Sequence, residues 1–185
     1  TMFKMLRRLI GEDIDLAWLP GTNLWSVKMD PSQIDQILVN LCVNSRDAIE
    51  GVGKLTIESE NVTLTNDYCI EHTGFIPGKF VKLSVSDNGC GMNEEVLKNL
   101  FEPFFTSRPS KKGTGLGLSI VHRIVADHEG RIEVMSDGPT CGATFCVILP
   151  VISVDSQSIK GAGSSAVVER AKPDYEKGKN VDYAA

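Results

Sequence analysis

The chain has 185 residues, 42% of them hydrophobic, and carries a formal net charge of -5. That is enough apolar material for one good core, and the acidic balance argues against a nucleic-acid binder, which needs a basic face. Five cysteines, odd in number and without a Cys-x-x-Cys pair, indicate neither a disulfide framework nor a zinc site.

Residues 3–10 read as the end of a helix, followed by strands at 13–19 and 24–29. Arg7 and Arg8 interrupt the one apolar run near the start, which argues against a signal peptide. A helix then runs from Pro31 to about Glu50. Asp30 suits the N-cap and Pro31 the first helical position. At about 100° per residue, Ile34, Ile37, Leu38, Leu41, Ala48 and Ile49 fall on one arc. Gln36, Asn40, Asn44 and Asp47 form a separate polar stripe. A solvated face would normally carry Lys and Glu, whereas two Asn one turn apart are poor helix formers. Their amide oxygens are neutral hard donors, suited to a Mg²⁺ ion that also holds phosphates.

A strand at 53–61 leads into residues 62–79, a surface excursion without a nucleotide motif. Alternating apolar residues then mark a half-buried strand over 80–87. It ends in Asp87-Asn-Gly-Cys-Gly-Met92, a sharp turn with a carboxylate at its start. The plain reading is an ordinary Asp-Asn-Gly turn. The functional reading is that Asp87 accepts a hydrogen bond from the N6 amine of adenine and repels the O6 of guanine. A helix at 93–100 follows. Phe105-Thr-Ser-Arg-Pro-Ser-Lys-Lys112 is polar, basic and interrupted by Pro109, so it reads as a loop.

Gly113-Thr-Gly-Leu-Gly-Leu-Ser119 comes next, opening a helix over 115–128. Its glycines permit close backbone approach, and the free amides of a helix start suit a phosphate. A Walker loop is excluded because Lys112 precedes the glycines, and a dinucleotide fingerprint because no strand leads into them. Strands at 130–136 and 143–150 complete the pattern, which predicts an α/β two-layer sandwich. From Ser153 the chain turns polar and Gly/Ser-rich, as a tail or linker does. Cys42, Cys90 and Cys146 read as small buried residues of a reducing cytosol, and no apolar stretch is long enough to span a bilayer.

Taken together, five motifs resemble the ATP-binding catalytic domain of two-component sensor histidine kinases, in the gyrase, Hsp90, histidine kinase and MutL ATPase superfamily. Asn40 and Asn44 in Asn-Leu-Cys-Val-Asn-Ser-Arg-Asp match the N box, and Asp87-Asn-Gly-Cys-Gly the G1 box. Phe101-Glu-Pro-Phe-Phe105 matches the F box, Gly113-Thr-Gly-Leu-Gly-Leu the G2 box, and Gly142-Ala-Thr-Phe145 a short motif on a late strand. The match runs from about Leu6 to Pro150, with every box in order.

The resemblance implies a mixed β-sheet with helices on one face, the Bergerat-type ATP-binding fold, over residues 11–151. Residues 1–10 would end a linker from a dimerisation and phosphoacceptor domain, and 152–185 would be a polar tail or linker. It implies ATP and Mg²⁺ as cofactors. Asn44 and Asn40 would hold the metal, and Asn40, Asn44, Lys112 and Arg108 would serve catalysis. Nucleotide contacts would come from Asn40, Asn44, Asp47, Asp87, Gly89, Gly91, Met92, Lys112, Gly113, Thr114, Gly115, Leu116, Gly117, Leu118 and Thr144. Thr144 would support Asp87 at the adenine through a water. Phe101, Phe104 and Phe105 would pack the hinge of a lid over 106–112 that orders on the nucleotide.

The implied reaction moves the γ-phosphoryl group of ATP to a histidine on the kinase's own dimerisation domain, and onward to a response regulator or receiver domain. Neither nucleic acid nor membrane contact is expected of this part, which should be cytoplasmic and monomeric when isolated. Of the three histidines, His72, His122 and His128, none sits in a phosphoacceptor pattern. Two other readings stand beside this one. An ATP hydrolase of the superfamily would carry Glu where Asn40 stands, to activate water. A nucleotide-sensing module without catalysis would keep the same boxes.

Overall fold

The computed structural model describes residues 2–71, 75–106, 114–152 and 180–183, the last of these by backbone alone. Helix α1 (Met2–Ile10) precedes strand β1 (Ile14–Leu19), helix α2 (Pro31–Ala48) and strand β2 (Gly53–Leu64). A short helix α3 (Asn66–Glu71) leads to β3 (Gly78–Asp87), α4 (Glu94–Asn99) and α5 (Gly117–Asp127). Strands β4 (Arg131–Met135), β5 (Ala143–Pro150) and β6 (Asn180–Tyr183) close the order.

Six strands form one mixed sheet in the order β1-β2-β3-β5-β4-β6. The β1–β2 pair is parallel and every other pair antiparallel. Period-two alternation puts Leu55, Ile57, Leu83, Val85, Phe145, Val147, Ile132 and Val134 into one core cluster. Helix α2 supplies Ile37, Leu38, Leu41 and Cys42 to that cluster, and α5 supplies Val121, Ile124 and Val125. α1 adds Leu6 and Ile10. This is the expected two-layer α/β sandwich with the main helices on one sheet face.

α2 begins as its sequence predicts. Pro31 takes the first helical position, and the Asp30 carboxylate accepts from the Ser32 amide at 2.8 Å and its hydroxyl at 2.7 Å. Those two bonds, the hydroxyl first, hold the Asp30 pKa below its ordinary value. At its end, Ile49 turns extended and its amide bonds the carbonyls of Ser45 and Arg46.

Three features depart from the sequence expectations. The predicted strand at 24–29 is reduced to one bridge, Val27 to Val151. Asn61 takes its place as the partner of this segment: its Oδ1 accepts from the Trp25 amide and its Nδ2 donates to the Asn23 carbonyl, both at 2.8 Å. The excursion at 62–79 is partly structured, since β2 extends to Leu64 and α3 follows. Leu64, Phe75, Phe80 and Ile148 form a second, smaller cluster there. Finally, the stretch after 152 includes β6, which pairs antiparallel with β4.

Leu41 lies fully buried where α2 meets the sheet, at 0% exposure. Leu41→Ala is expected to cost about 2–5 kcal/mol of stability, read as a shift in the urea midpoint. A shift below about 0.5 kcal/mol would mean that α2 is not seated on this core.

Candidate functional site

A cleft of about 630 Å³ opens between α2, the turn after β3, α4 and the start of α5. Asp87, the last residue of β3, sits at one end of it. Its Oδ1 accepts from the Gly89 amide at 2.9 Å. The Ala143 amide also favours the charged form, as does the Ser45 hydroxyl facing it, which meets no full hydrogen-bond geometry of its own. Burial outweighs these contacts and raises the carboxyl pKa above its ordinary value.

The register Asp87 to Ala143 fixes this end of the cleft. Gly142 has φ +72°, and a Cβ there would strike the Asp87 carbonyl. The neighbouring Ser136 hydroxyl donates to the Gly142 carbonyl at 2.7 Å and accepts from the Met92 amide at 3.0 Å, joining the turn after β3 to the turn before β5. Gly91 and Met92 line the cleft, while Gly89 acts through its amide on Asp87.

On another part of the cleft wall, Asn40 and Asn44 face the first residue of α5. A Cβ on Gly117 would stand 3.2 Å from Asn40 Oδ1 and 3.8 Å from Asn44 Nδ2. Asn40 Nδ2 donates to the Gln36 carbonyl at 3.0 Å, which turns its Oδ1 outward from the helix. Asn44 Nδ2 is buried with no hydrogen-bond partner. α5 starts at Leu116 with no side-chain cap, so its first amides keep no side-chain acceptor there. An orphaned carboxamide, a second carboxamide oxygen and an uncapped helix start converge on one point. The unpartnered Asn44 Nδ2 is a donor that fits a phosphate oxygen, and the neutral Asn40 Oδ1 is the kind of oxygen that fits a Mg²⁺ ion keeping waters and sharing phosphate oxygens.

Thr114, Gly115, Leu116, Gly117 and Leu118 all line the cleft, and so does Asp47. Arg108, Lys112, Gly113 and His72 lie outside the described residues, as does the expected lid apart from Thr106. Thr144 is not where the motif suggests. Its hydroxyl donates to Ser86 Oγ at 3.0 Å on the other sheet face, and Ala143 and Phe145 reach the cleft instead. Alternation along β5 explains this: a residue between two inward positions points outward.

The F-box aromatics divide rather than cluster. Phe101 packs on His122 at 5.2 Å between ring centroids, Phe105 lines the cleft, and Phe104 is 74% exposed. His122 is thereby a packing residue. Nδ1 of His128 pairs with the Ile124 carbonyl at 2.7 Å at the end of α5. Cys90 is exposed on the cleft wall, contrary to its reading as buried, because the Gly89–Gly91 turn lifts it off the sheet; Cys42 and Cys146 are buried as read. Sequence reasoning also passed over Arg46, Val96, Leu100 and Phe145 as lining residues. Only Phe145 carried a signal, through its period-two match with Ala143 and Val147.

The family model described as "Histidine kinase-, DNA gyrase B-, and HSP90-like ATPase" matches residues 29–153. Among curated relatives, the sensor kinase CckA of Brucella abortus (strain 2308) is 39% identical over 146 residues, covering 79% of this chain and 15% of its own. The sensor histidine kinase ZraS of Escherichia coli (strain K12) is 34% identical over 156 residues, 82% of this chain and 30% of its own. The chain thus spans less than a third of the length of either relative. The nucleotide-free catalytic domain of the histidine kinase ThkA superposes with TM-score 0.59 at 31% identity, covering 81% of this chain and 86% of that one. Full-length ShkA in complex with AMPPNP gives TM-score 0.64 at 26% identity, covering 81% and 28%.

Gly142→Ala is expected to destabilise the fold by about 1–3 kcal/mol, since it combines a left-handed backbone with a clash against Asp87. Denaturant unfolding reads this directly. An unchanged midpoint would show that the two turns do not approach as closely as described.

Proposed function

The chain belongs to the histidine kinase-, DNA gyrase B- and HSP90-like ATPase family, and from that membership we propose that it binds Mg-ATP and transfers the γ-phosphoryl group to a histidine. The acceptor lies on a separate dimerisation domain of the same kinase, and the phosphoryl group then passes to a response regulator or receiver domain. One observation carries this reading: Asn40 and Asn44 face the uncapped start of α5 in the same cleft that the half-buried Asp87 lines.

Asp87 accepts from the N6 amine of adenine and turns away the carbonyl of guanine. The amides around Gly115 and Gly117 bind phosphate oxygens, with Gly113, Lys112 and Arg108 contributing from the adjoining loop. Asn40 and Asn44 would hold Mg²⁺, which takes oxygen donors such as a carboxamide. When bound, that ion neutralises charge on the triphosphate, which a loose phosphoryl-transfer transition state chiefly requires. The accepting imidazole is already nucleophilic when neutral, so no strong base is needed in the cleft.

Hydrolysis is the weaker reading. Asn40 stands where a water-activating carboxylate is needed, and its Nδ2 is committed to the Gln36 carbonyl. Among the described residues, no helix is long and apolar enough to cross a membrane.

Asp87→Asn is expected to lower ATP affinity at least about tenfold, the loss of one charge-assisted hydrogen bond, with the fold intact by circular dichroism. Because burial raises the Asp87 pKa, ATP affinity of the unaltered protein should fall as pH drops through that raised value, above the range of an exposed aspartate. The variant should lose this pH dependence. Calorimetry giving equal affinity for ATP and GTP would remove Asp87 as the base-reading group.

Incubated alone with labelled Mg-ATP, the chain should acquire no acid-labile, base-stable phosphate. A separately supplied histidine-bearing dimerisation domain should be phosphorylated slowly, because untethered domains lose effective concentration. Label on His72, His122 or His128, or rapid phosphate release without the second domain, would overturn the transferase reading.

A further inference from the structure

We propose that Arg46 is a positioning residue that ties the end of α1 to the nucleotide cleft, so that occupancy of the cleft and order in the last turn of α1 are coupled. The proposal rests on the nucleotide-binding reading above.

Arg46 lies in the last turn of α2, two residues after Asn44, and both it and Asp47 line the cleft. Its Nε and Nη2 donate to Asp47 Oδ1 at 3.1 and 2.7 Å. Its Nη1 donates to the Leu9 carbonyl at 3.0 Å. That carbonyl is among the last four of α1, which have no partner within the helix, and a cation is favoured at this end. One guanidinium therefore closes the end of one helix and grips a carboxylate on the cleft wall.

The chemistry of the group makes this a coupling rather than two separate contacts. A guanidinium is a rigid planar fork, so fixing one edge on Asp47 fixes where Nη1 points. Both side chains are part-exposed, at 39% and 42%. A pair so exposed contributes little to stability as an ion pair, and its effect is geometric. A Mg-triphosphate bound at Asn44 brings charge beside Asp47 and Arg46 and restricts both. The restriction passes through Nη1 to Leu9, and ordering of α1 feeds back on nucleotide affinity by the same factor. Leu6 and Ile10 seat α1 on the core, which leaves its terminal carbonyls as the part able to respond.

The test is amide hydrogen exchange over residues 6–12 in the full chain, with and without Mg-AMPPNP, alongside calorimetry of the same nucleotide. In the unaltered protein the nucleotide should slow exchange there at least about fivefold. In Arg46→Ala this response should vanish and affinity should weaken by a similar factor. Arg46→Lys keeps the charge but not the fork, so it should lose the response of α1 and, by the same linkage, a similar factor in affinity although the charge is retained. Because Arg46→Lys preserves the charge and most of the side chain, it keeps the test open if Arg46→Ala folds poorly. Nucleotide binding with unchanged exchange over 6–12, or a response that survives in either variant, would overturn the coupling. No nucleotide binding by the unaltered protein would instead overturn the proposed function, and the coupling with it.

Discussion

The site depends on a carboxylate half-buried at the end of a central strand. Burying a charge is costly unless hydrogen bonds replace water, and at Asp87 backbone amides rather than cations offset part of that cost, leaving the pKa raised. The Gly89 amide comes from its own turn and the Ala143 amide from the neighbouring strand. The second contact requires the β3–β5 register to hold to its last pair. Around both, the turns approach more closely than a side chain would allow. Gly89 packs under the Ala48 carbonyl at the end of α2, and the Cys90 amide donates to that carbonyl at 2.9 Å, so this turn sets the height of that helix above the sheet. From that height follows the position of Asn40 and Asn44, which lie on the same helix one and two turns earlier. The proposed base-reading and metal-holding residues are thus tied through one helix.

The two parts of the cleft are built differently. The Asp87 end is braced by hydrogen bonds between loops, including the Ser136 hydroxyl shared by Met92 and Gly142. The part at Asn44 leaves a buried carboxamide nitrogen without a partner and a helix start without a cap. Unsatisfied buried polar groups are costly in a folded protein. Their concentration at one point is what a site for a charged, oxygen-rich ligand looks like before the ligand arrives.

Local chemistry was legible in the sequence where a residue's own neighbours decide its conformation. The Asp30-Pro31 start of α2, the arc of Ile37, Leu38 and Leu41, and the bounds of β5 all follow from caps and periodicity. The ordered boxes placed Asn40, Asn44, Asp87 and the glycines before α5 in one cleft. What escaped was decided by distant partners. Residues 24–29 alternate like a strand, yet Asn61 from β2 supplies the bonds that a ladder would. Thr144 fits the motif by position, but the pleat turns it to the far face and leaves Ala143 at Asp87. Cys90 looks like a small core residue in composition, while a glycine-flanked turn exposes it. The role of Arg46 was invisible because its partner, the Leu9 carbonyl, is a backbone atom 37 positions away.

β1 and β2 form the one parallel pair among the described strands, and a parallel pair needs a crossover. Here the crossover is α2 itself, so the helix bearing both asparagines is also the connection that closes β1 onto β2. β2, β3 and β5 meet antiparallel, and β5 enters from far along the chain. Loop-closure entropy grows with such separations, and pairings of this kind assemble late. The cleft draws on α2, on β3 and on β5, so a growing chain that stops before Ala143 holds no complete site. Nucleotide binding therefore belongs to the finished topology, and a ligand that binds only that topology stabilises it by mass action. In a cell, the nucleotide pool would act on this chain as a folding partner from the moment its fifth strand is made.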